Sequence, residues 1–83
     1  MAEKEIGKVS HYFGKISVAS LDITAPLRVG DTIHIKGHTT DLTQEVASMQ
    51  IEHADVQEAK PGDNVAIRVS DHVREHDVVY KVA

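Results

Sequence analysis

Apolar residues alternate with polar ones along several short runs of the chain. In the runs 32–36, 65–69 and 78–82, every second residue is apolar or aromatic. This is the period of a β-strand that buries one face and exposes the other. The three runs therefore predict strands.

Two earlier runs, 6–13 and 16–23, also predict strands, separated by a tight connection. In the second run the apolar residues at 16 and 18 have one parity, and those at 21 and 23 have the other. Such a change of phase predicts a β-bulge within this strand. In the first run, Tyr12 and Phe13 must point in opposite directions, and we expect Phe13 to fill the core.

The segment "DLTQEVASMQIEH" (41–53) supports two readings. Leu42, Val46 and Met49 have helical spacing among good helix formers, so local propensity predicts a helix. The competing reading is a strand with a bulge near Ala47, and the local pattern does not decide between them. Further on, "DHVREH" (71–76) predicts a short helical turn capped by Ser70 or Asp71.

The phrases "RVGD" and "KPGD" each stand directly before a predicted strand. Glycine supplies backbone freedom at a turn, and the aspartate side chain forms hydrogen bonds with nearby backbone groups. Neither pair has a cluster of carboxylates around it, as a metal site would need. We therefore expect Gly30, Asp31, Gly62 and Asp63 to be structural turn residues.

Short strands separated by turn signals predict a small all-β barrel or sandwich. We expect its core to contain Val29, Ile33, Ile35, Met49, Ile51, Val65, Ile67 and Tyr80.

Composition narrows the possible functions. The chain has 83 residues, enough for one domain, and no cysteine. A formal net charge of −4 argues against strong non-specific nucleic-acid binding, so we expect no DNA partner. No apolar run is long enough to cross a membrane, and the start "MAEKEIGKV" lacks the apolar region of a signal peptide. We expect a cytoplasmic protein.

The residues that could carry chemistry are sparse. His72 and His76 are four residues apart, but no third ligand is evident, and a solvated turn is the favoured reading. His34 and His38 are expected on the surface. No serine lies in a G-x-S-x-G motif and no phosphate-binding loop is present. We therefore predict no enzyme activity, no metal, no cofactor and no GTP binding.

The order and spacing of "RVGDTIHIKG" and "KPGDNVAI" resemble the second domain of elongation factor Tu and its relatives, over roughly residues 6–82. The resemblance implies a small closed six-stranded antiparallel β-barrel, which we assign to residues 6–83. Residues 1–5 are expected to be a flexible N-terminus, as chain ends often are. It also implies a strand at 43–53 in place of the helix. The GTPase domain of that family is absent, and His76 stands where the family has a glycine.

The resemblance also implies a candidate RNA-binding face at Gln50, Glu52, His53 and Asn64. Asn64 matches the family's turn asparagine, whereas the other three differ from the family's residues. We therefore expect weak RNA binding or a protein partner, in a translation- or RNA-linked setting. The alternatives are a protein–protein adaptor, or an accessory barrel that partners an RNA-modifying or U32 peptidase-like enzyme, since similar barrels occur at the C-terminus of that family.

Overall fold

The computed structural model of the chain describes residues 3–82, all of whose regular secondary structure is β-strand. The strands are β1 (Glu3–Phe13), β2 (Val18–Ile23), β3 (Leu27–Arg28), β4 (Thr32–Lys36), β5 (Asp41–Glu45), β6 (Met49–Ile51), β7 (Ala54–Val56), β8 (Glu58–Ala59), β9 (Asn64–Arg68) and β10 (Val78–Val82). No helix in this part of the chain is long and apolar enough to cross a membrane.

Eight strands form one antiparallel sheet in the order β5-β4-β10-β1-β2-β9-β6-β7, and β3 pairs with β8 in a second, two-stranded sheet. The all-β prediction is confirmed. The closed six-stranded barrel is not found in residues 3–82, because β5 and β7 form the two ends of the large sheet and do not pair with each other.

Side chains rather than a strand ladder link the end strand β5 to β9. The Gln44 amide donates from Nε2 to the Arg68 carbonyl oxygen at 2.8 Å, and its Oε1 accepts from the Ser70 N–H at 2.9 Å. One glutamine side chain thus reproduces the donor and acceptor of a peptide group.

The core lies on the inner face of the large sheet and is almost entirely aliphatic. Of the residues expected there, Ile33, Ile35, Met49, Val65 and Ile67 are buried. Val29 and Ile51 are half-buried and pack against the core. The prediction for Tyr80 was wrong, because Val79 is the buried residue of β10 and the Tyr80 ring, of the opposite parity, lies beside His34. The prediction for Phe13 was wrong, because its side chain is 44% exposed and the half-buried Tyr12 packs against the core instead.

Two irregularities lie in β1 and none in the run 16–23; one shifts the register with β10 between Glu5 and Gly7, and the other shifts the register with β2. Val9 faces Leu21 and His11 faces Ser20, so Ser10 is the additional residue. Ile16 belongs to the connecting turn, and Ala19, Leu21 and Ile23 share one buried parity within β2. The apparent change of phase therefore marks the end of a turn.

The helix reading of residues 41–53 is wrong, and the strand reading is correct only in part, because the segment forms two strands rather than one strand with a bulge. Residues 41–45 pair with β4 along their full length, while residues 49–51 pair with β7 and the first two of them also pair with β9. The segment 46–48 separates them, and the Val46 N–H donates to the Asp31 carbonyl oxygen at 2.8 Å. Tertiary pairing overrides the local helix propensity here.

The helical turn predicted at 71–76 is also absent. Instead, Asp77 closes a tight turn by accepting the Arg74 N–H at Oδ2 over 2.8 Å. Its own N–H donates to the Arg74 carbonyl oxygen at 3.2 Å, and β10 begins at the next residue.

Three turns of this construction each lead into a strand. In the first two, Asp31 Oδ2 accepts the Arg28 N–H and Asp63 Oδ2 accepts the Lys60 N–H, both at 2.9 Å. The third residue of each turn has a positive φ: 98° at Gly30, 94° at Gly62 and 74° at His76. This is the conformation that a type II turn requires at that position.

The N-terminal residues 3–5 belong to β1 and pair with β10. Met1 and Ala2, which the prediction of a flexible N-terminus also covered, and Ala83, at the end of the predicted domain, lie outside the described residues.

Candidate functional site

Small side chains form a hollow on the outer face of the large sheet. Ser20 on β2 faces Ala66 on β9, which in turn faces Gln50 on β6. Each of these residues points away from the core, because its neighbours of opposite parity are buried. With a hydroxymethyl and a methyl group at its centre, this row leaves space between larger neighbours.

This space is an open pocket of about 590 Å³. We call it the outer pocket. Its lining consists of Phe13, Ile16, Val18, Ser20, Gln50, Ile51, Glu52, His53, Gly62, Asp63, Asn64 and Ala66.

All four residues of the predicted RNA-binding face line the outer pocket. Gln50 lies on β6, Glu52 and His53 form the connection from β6 to β7, and Asn64 opens β9. The antiparallel pairing of β6 with β9 brings them together from different parts of the chain. Contact with RNA at these residues stays a prediction.

A hydrogen-bond network fixes the two amide side chains of the pocket. Asn64 Nδ2 donates to Asp22 Oδ1 at 2.7 Å and to Ser10 Oγ at 3.1 Å. Asn64 Oδ1 accepts from Ser20 Oγ at 3.2 Å, and Gln50 Nε2 donates to Asp55 Oδ1 at 3.0 Å. Both amide groups are thereby held in defined orientations.

The hairpin at the edge of the pocket has an unusual backbone. Ile51 pairs with Ala54, so Glu52 and His53 form a two-residue loop, with φ values of 51° and 67°. Two positive φ values are those of a type I′ turn, which ordinarily takes Asn-Gly or Asp-Gly. Both residues adopt a left-handed backbone conformation, which costs an ordinary L-residue about 1–2 kcal/mol.

The sequence did not indicate the apolar part of the pocket. Phe13 and Ile16 are the large hydrophobic side chains among residues 3–82 that are exposed, at 44% and 63%. They follow each other across the turn between β1 and β2, and both line the outer pocket. The alternation of Tyr12 and Phe13 was the one signal that one of these two rings is exposed.

The pocket has an acidic lining. Glu52 and Asp63 are among its lining residues, and Asp22 and Asp55 accept hydrogen bonds from the Asn64 and Gln50 amide groups. No lysine or arginine occurs in the lining, as far as the described residues form it.

A second cluster of titratable groups lies elsewhere, around β4. His34 Nε2 is 2.5 Å from Asp41 Oδ1, and Nδ1 is 3.0 Å from Glu3 Oε2. The hydrogen bond with Asp41 raises the pKa of His34 above its ordinary value of 6.5, and Glu3 adds to this against the opposing effect of burial. Because both ring nitrogens face carboxylates, the imidazolium form fits this position.

The two histidines considered for a metal site lie apart from the pocket. The His72 ring packs against Tyr12 with centroids 4.6 Å apart, and His76 occupies the turn before β10. Residues 3–82 contain no group of three or more histidine, aspartate or glutamate side chains arranged to hold a metal ion.

The chain is similar in sequence to segments of longer proteins. It is 47% identical over 77 residues, or 92% of its length, to an uncharacterized protease of Methanocaldococcus jannaschii. It is 35% identical over 78 residues to a collagenase of Porphyromonas gingivalis. The chain spans only 19% and 22% of these two curated relatives. No family model matches it.

The fold has solved counterparts. The C-terminal domain of a protein of Geobacillus thermoleovorans described as a U32 peptidase superposes with a TM-score of 0.90, covering 96% of this chain and 93% of that domain at 19% identity. The selenomethionine variant of the same domain gives a TM-score of 0.87. At this identity, the likeness shows the fold alone.

These comparisons correct the resemblance to elongation factor Tu and the translation setting that it implied. The sequence relatives are named protease and collagenase, and the structural counterparts are C-terminal domains of a U32 peptidase. The misleading motifs were the two Gly-Asp phrases. Their residues build a turn that precedes a strand, and Gly-Asp is favoured in this turn whatever the protein family.

Proposed function

We propose that this chain is a non-catalytic accessory domain that acts with a U32 peptidase-like catalytic part and binds a partner through the outer pocket. The observation that carries the proposal is the 47% identity over nearly the whole chain to a segment that makes up 19% of a protease. A segment that small leaves most of such a protein for its catalytic machinery.

The chemistry of the pocket supports a binding role. Ser20 is the serine in its lining, and its hydroxyl donates to Asn64 Oδ1 rather than to a histidine. A serine nucleophile needs an adjacent base to take its proton, and an amide oxygen does not act as one at neutral pH. The histidine in the lining, His53, lies in the hairpin loop. Within residues 3–82, its ring forms no hydrogen bond with a hydroxyl group.

The outer pocket is the place where binding is expected. It combines exposed apolar side chains with fixed amide groups and carboxylates, which is the composition of sites that recognise a ligand by shape and by a few oriented polar contacts. The inner face of the same strands is filled by the core and offers no surface.

A graft into the Porphyromonas gingivalis collagenase tests the accessory role. Three versions are compared: the intact enzyme, one that lacks the segment matching this chain, and one in which this chain replaces that segment. We expect the deletion to raise the KM for collagen while it leaves the hydrolysis of a short peptide unchanged, because an accessory domain acts on capture of the large substrate. The graft should restore the KM.

Two results would contradict the proposal. A deletion that leaves the kinetics on collagen unchanged would remove the accessory role. Peptidase activity of the isolated 83-residue chain, abolished by Ser20→Ala, would show that the chain is itself catalytic.

A further inference from the structure

We propose that the outer pocket binds an extended polypeptide segment in which an apolar side chain stands next to a lysine or arginine. This inference rests on the proposed function, since it names the class of partner for the same pocket. Three independent features of the pocket carry it: its apolar rim, its carboxylates and its strained backbone.

The apolar rim supplies the site for the apolar side chain. Phe13, the last residue of β1, and Ile16, in the turn that follows, are exposed at 44% and 63%. Val18 and Ile51 continue this surface inside the pocket, and Ala66 leaves the depth in which a side chain can be seated. Exposed apolar surface gathered in one place on a small domain is typical of a binding site.

The carboxylates select the charge of the neighbouring residue. Glu52 and Asp63 line the pocket, while Asp22 and Asp55 stand behind the amides of Asn64 and Gln50. A lysine or arginine next to the seated apolar side chain would meet these groups at short range. The same carboxylates repel phosphate, so the pocket favours a basic polypeptide over RNA.

The backbone around the pocket is strained. Four non-glycine residues among those described have positive φ, and Ser17, Glu52 and His53 belong to the two loops that flank the outer pocket. Such strain persists only where the surrounding structure imposes it, and it is concentrated at functional sites. Ile16 and Glu52, which belong to these two loops, both line the pocket.

Titration of the ¹⁵N-labelled 83-residue chain with capped peptides tests the inference. The first peptide carries a Leu-Lys pair between glycine and serine residues; its matched partners carry Leu-Glu and Ser-Lys. We expect the Leu-Lys peptide to shift the resonances of residues in the outer pocket. The affinity of each matched peptide should be lower by about tenfold or more, since each lacks one of the two contacts.

Two variants locate the binding on the protein. Ala66→Phe fills the hollow from the solvent side, and Glu52→Lys reverses one charge; each should weaken the Leu-Lys peptide by about tenfold or more. Glu45→Lys, an equivalent reversal on β5 at a residue outside the lining of the pocket, is the control and should leave the affinity unchanged. The amide spectrum of each variant shows whether it is folded.

A single-stranded RNA oligonucleotide serves as the opposing probe. Shifts in the outer pocket with RNA that become stronger in Glu52→Lys would overturn the inference, as would equal binding of the Leu-Glu peptide or no binding at millimolar Leu-Lys peptide. The collagenase graft separates the two proposals. A graft that carries Ala66→Phe and still restores the KM for collagen would refute the pocket and leave the accessory role standing.

Discussion

The two faces of strands β2 and β9 differ in almost every property, although they share one backbone. On the inner face Leu21, Val65 and Ile67 are buried at 2% exposure or less. On the outer face Ser20 and Ala66 leave an open pocket of about 590 Å³. Because side chains alternate along a strand, residues next to each other in sequence serve opposite purposes.

This difference teaches that folding and recognition are separable at the level of single residues. The core requires only apolar side chains of suitable volume, and many sequences meet this requirement. The outer face is free of that demand, so its small central residues reflect a requirement other than packing. Substitutions on one face should therefore change stability, and those on the other should change binding.

The largest expected effect is that of Ile67→Ala on the inner face. Ile67 is 2% exposed and faces Met49 on β6 and Ala19 on β2. Its truncation should lower the free energy of unfolding by about 2–5 kcal/mol, because a cavity remains in the core. Chemical denaturation measures this. Ala66→Val, one residue away, is the control; a loss of similar size there would break the distinction between the faces.

The next effect concerns the hairpin at the pocket. Replacing Glu52 and His53 together by Asn-Gly should raise the free energy of unfolding by about 1–3 kcal/mol, since these residues suit a type I′ turn. Thermal or urea unfolding measures the gain.

Glycine as such should not stabilise this chain. Thr39→Gly introduces it in a loop where φ is not positive, and it should be neutral or destabilising. The hairpin variant should also bind the Leu-Lys peptide less well, since the Glu52 carboxylate is lost. A hairpin variant no more stable than the wild type would show that the turn carries no strain.

Asp63 takes part both in a turn that stabilises the fold and in the lining of the outer pocket, so its substitution should affect stability and binding together. Its Oδ2 accepts the Lys60 N–H at 2.9 Å in the turn that enters β9, and the residue also lines the pocket. Asp63→Ala should cost about 1–2 kcal/mol through the lost hydrogen bond to a charged acceptor. Asp31→Ala, in the equivalent turn away from the pocket, should cost at least as much, because Asp31 Oδ2 also lies 3.3 Å from Lys81 Nζ. Only Asp63→Ala should weaken peptide binding, as titration of both variants would reveal.

The smallest expected effect is a pH dependence of the free energy of unfolding, which arises at His34, outside the outer pocket. His34 has a raised pKa because of Asp41 and Glu3, so its charged form is the one that stabilises the fold. That contribution is complete below the ordinary pKa of about 6.5 and is lost as the pH rises through the folded value. It should amount to less than about 1 kcal/mol, since pairs of this kind near the surface contribute little.

Urea unfolding between pH 6 and pH 8.5 measures the contribution of His34 to stability. The stability advantage of the wild type over His34→Gln should shrink as the pH rises, and peptide binding should follow the same pH profile in both proteins. An advantage that grows with pH would mean that the neutral imidazole is the stabilising form.

The strands could be predicted where one face is buried. The runs that became β4 and β9 show a clean period of two, because each packs Ile or Val against the core at alternate positions. In β10 the same period predicted the strand but the wrong face, since Val79 is the buried residue rather than Val78 or Tyr80. The β1 bulge at Ser10 could not be located, since a bulge depends on the register with a partner strand. The turn at Arg74–Asp77 was missed because its defining bond joins an aspartate side chain to a backbone N–H, which helix propensity does not describe.

The candidate site could be predicted only in its polar half. Gln50, Glu52, His53 and Asn64 do lie together, but the resemblance that gathered them pointed to the wrong family. Phe13 and Ile16 were not found, because an apolar residue next to a strand is ordinarily assigned to the core. The hollow at Ala66 results from its cross-strand neighbours Ser20 and Gln50, so no local pattern contains it.

The Gln44 amide has a consequence for self-association. An open sheet presents end strands whose unpaired N–H and C=O groups can recruit the same strand of another molecule and start a fibre. At the β5 end, the Gln44 side chain already bridges to Arg68 and Ser70, and Asp41 and Glu45 add like charges that repel a second copy. Gln44→Leu should therefore leave the isolated molecule folded yet prone to assemble into fibres, which light scattering during prolonged incubation would detect; a variant that stays as dispersed as the wild type would show that the charges alone protect this end.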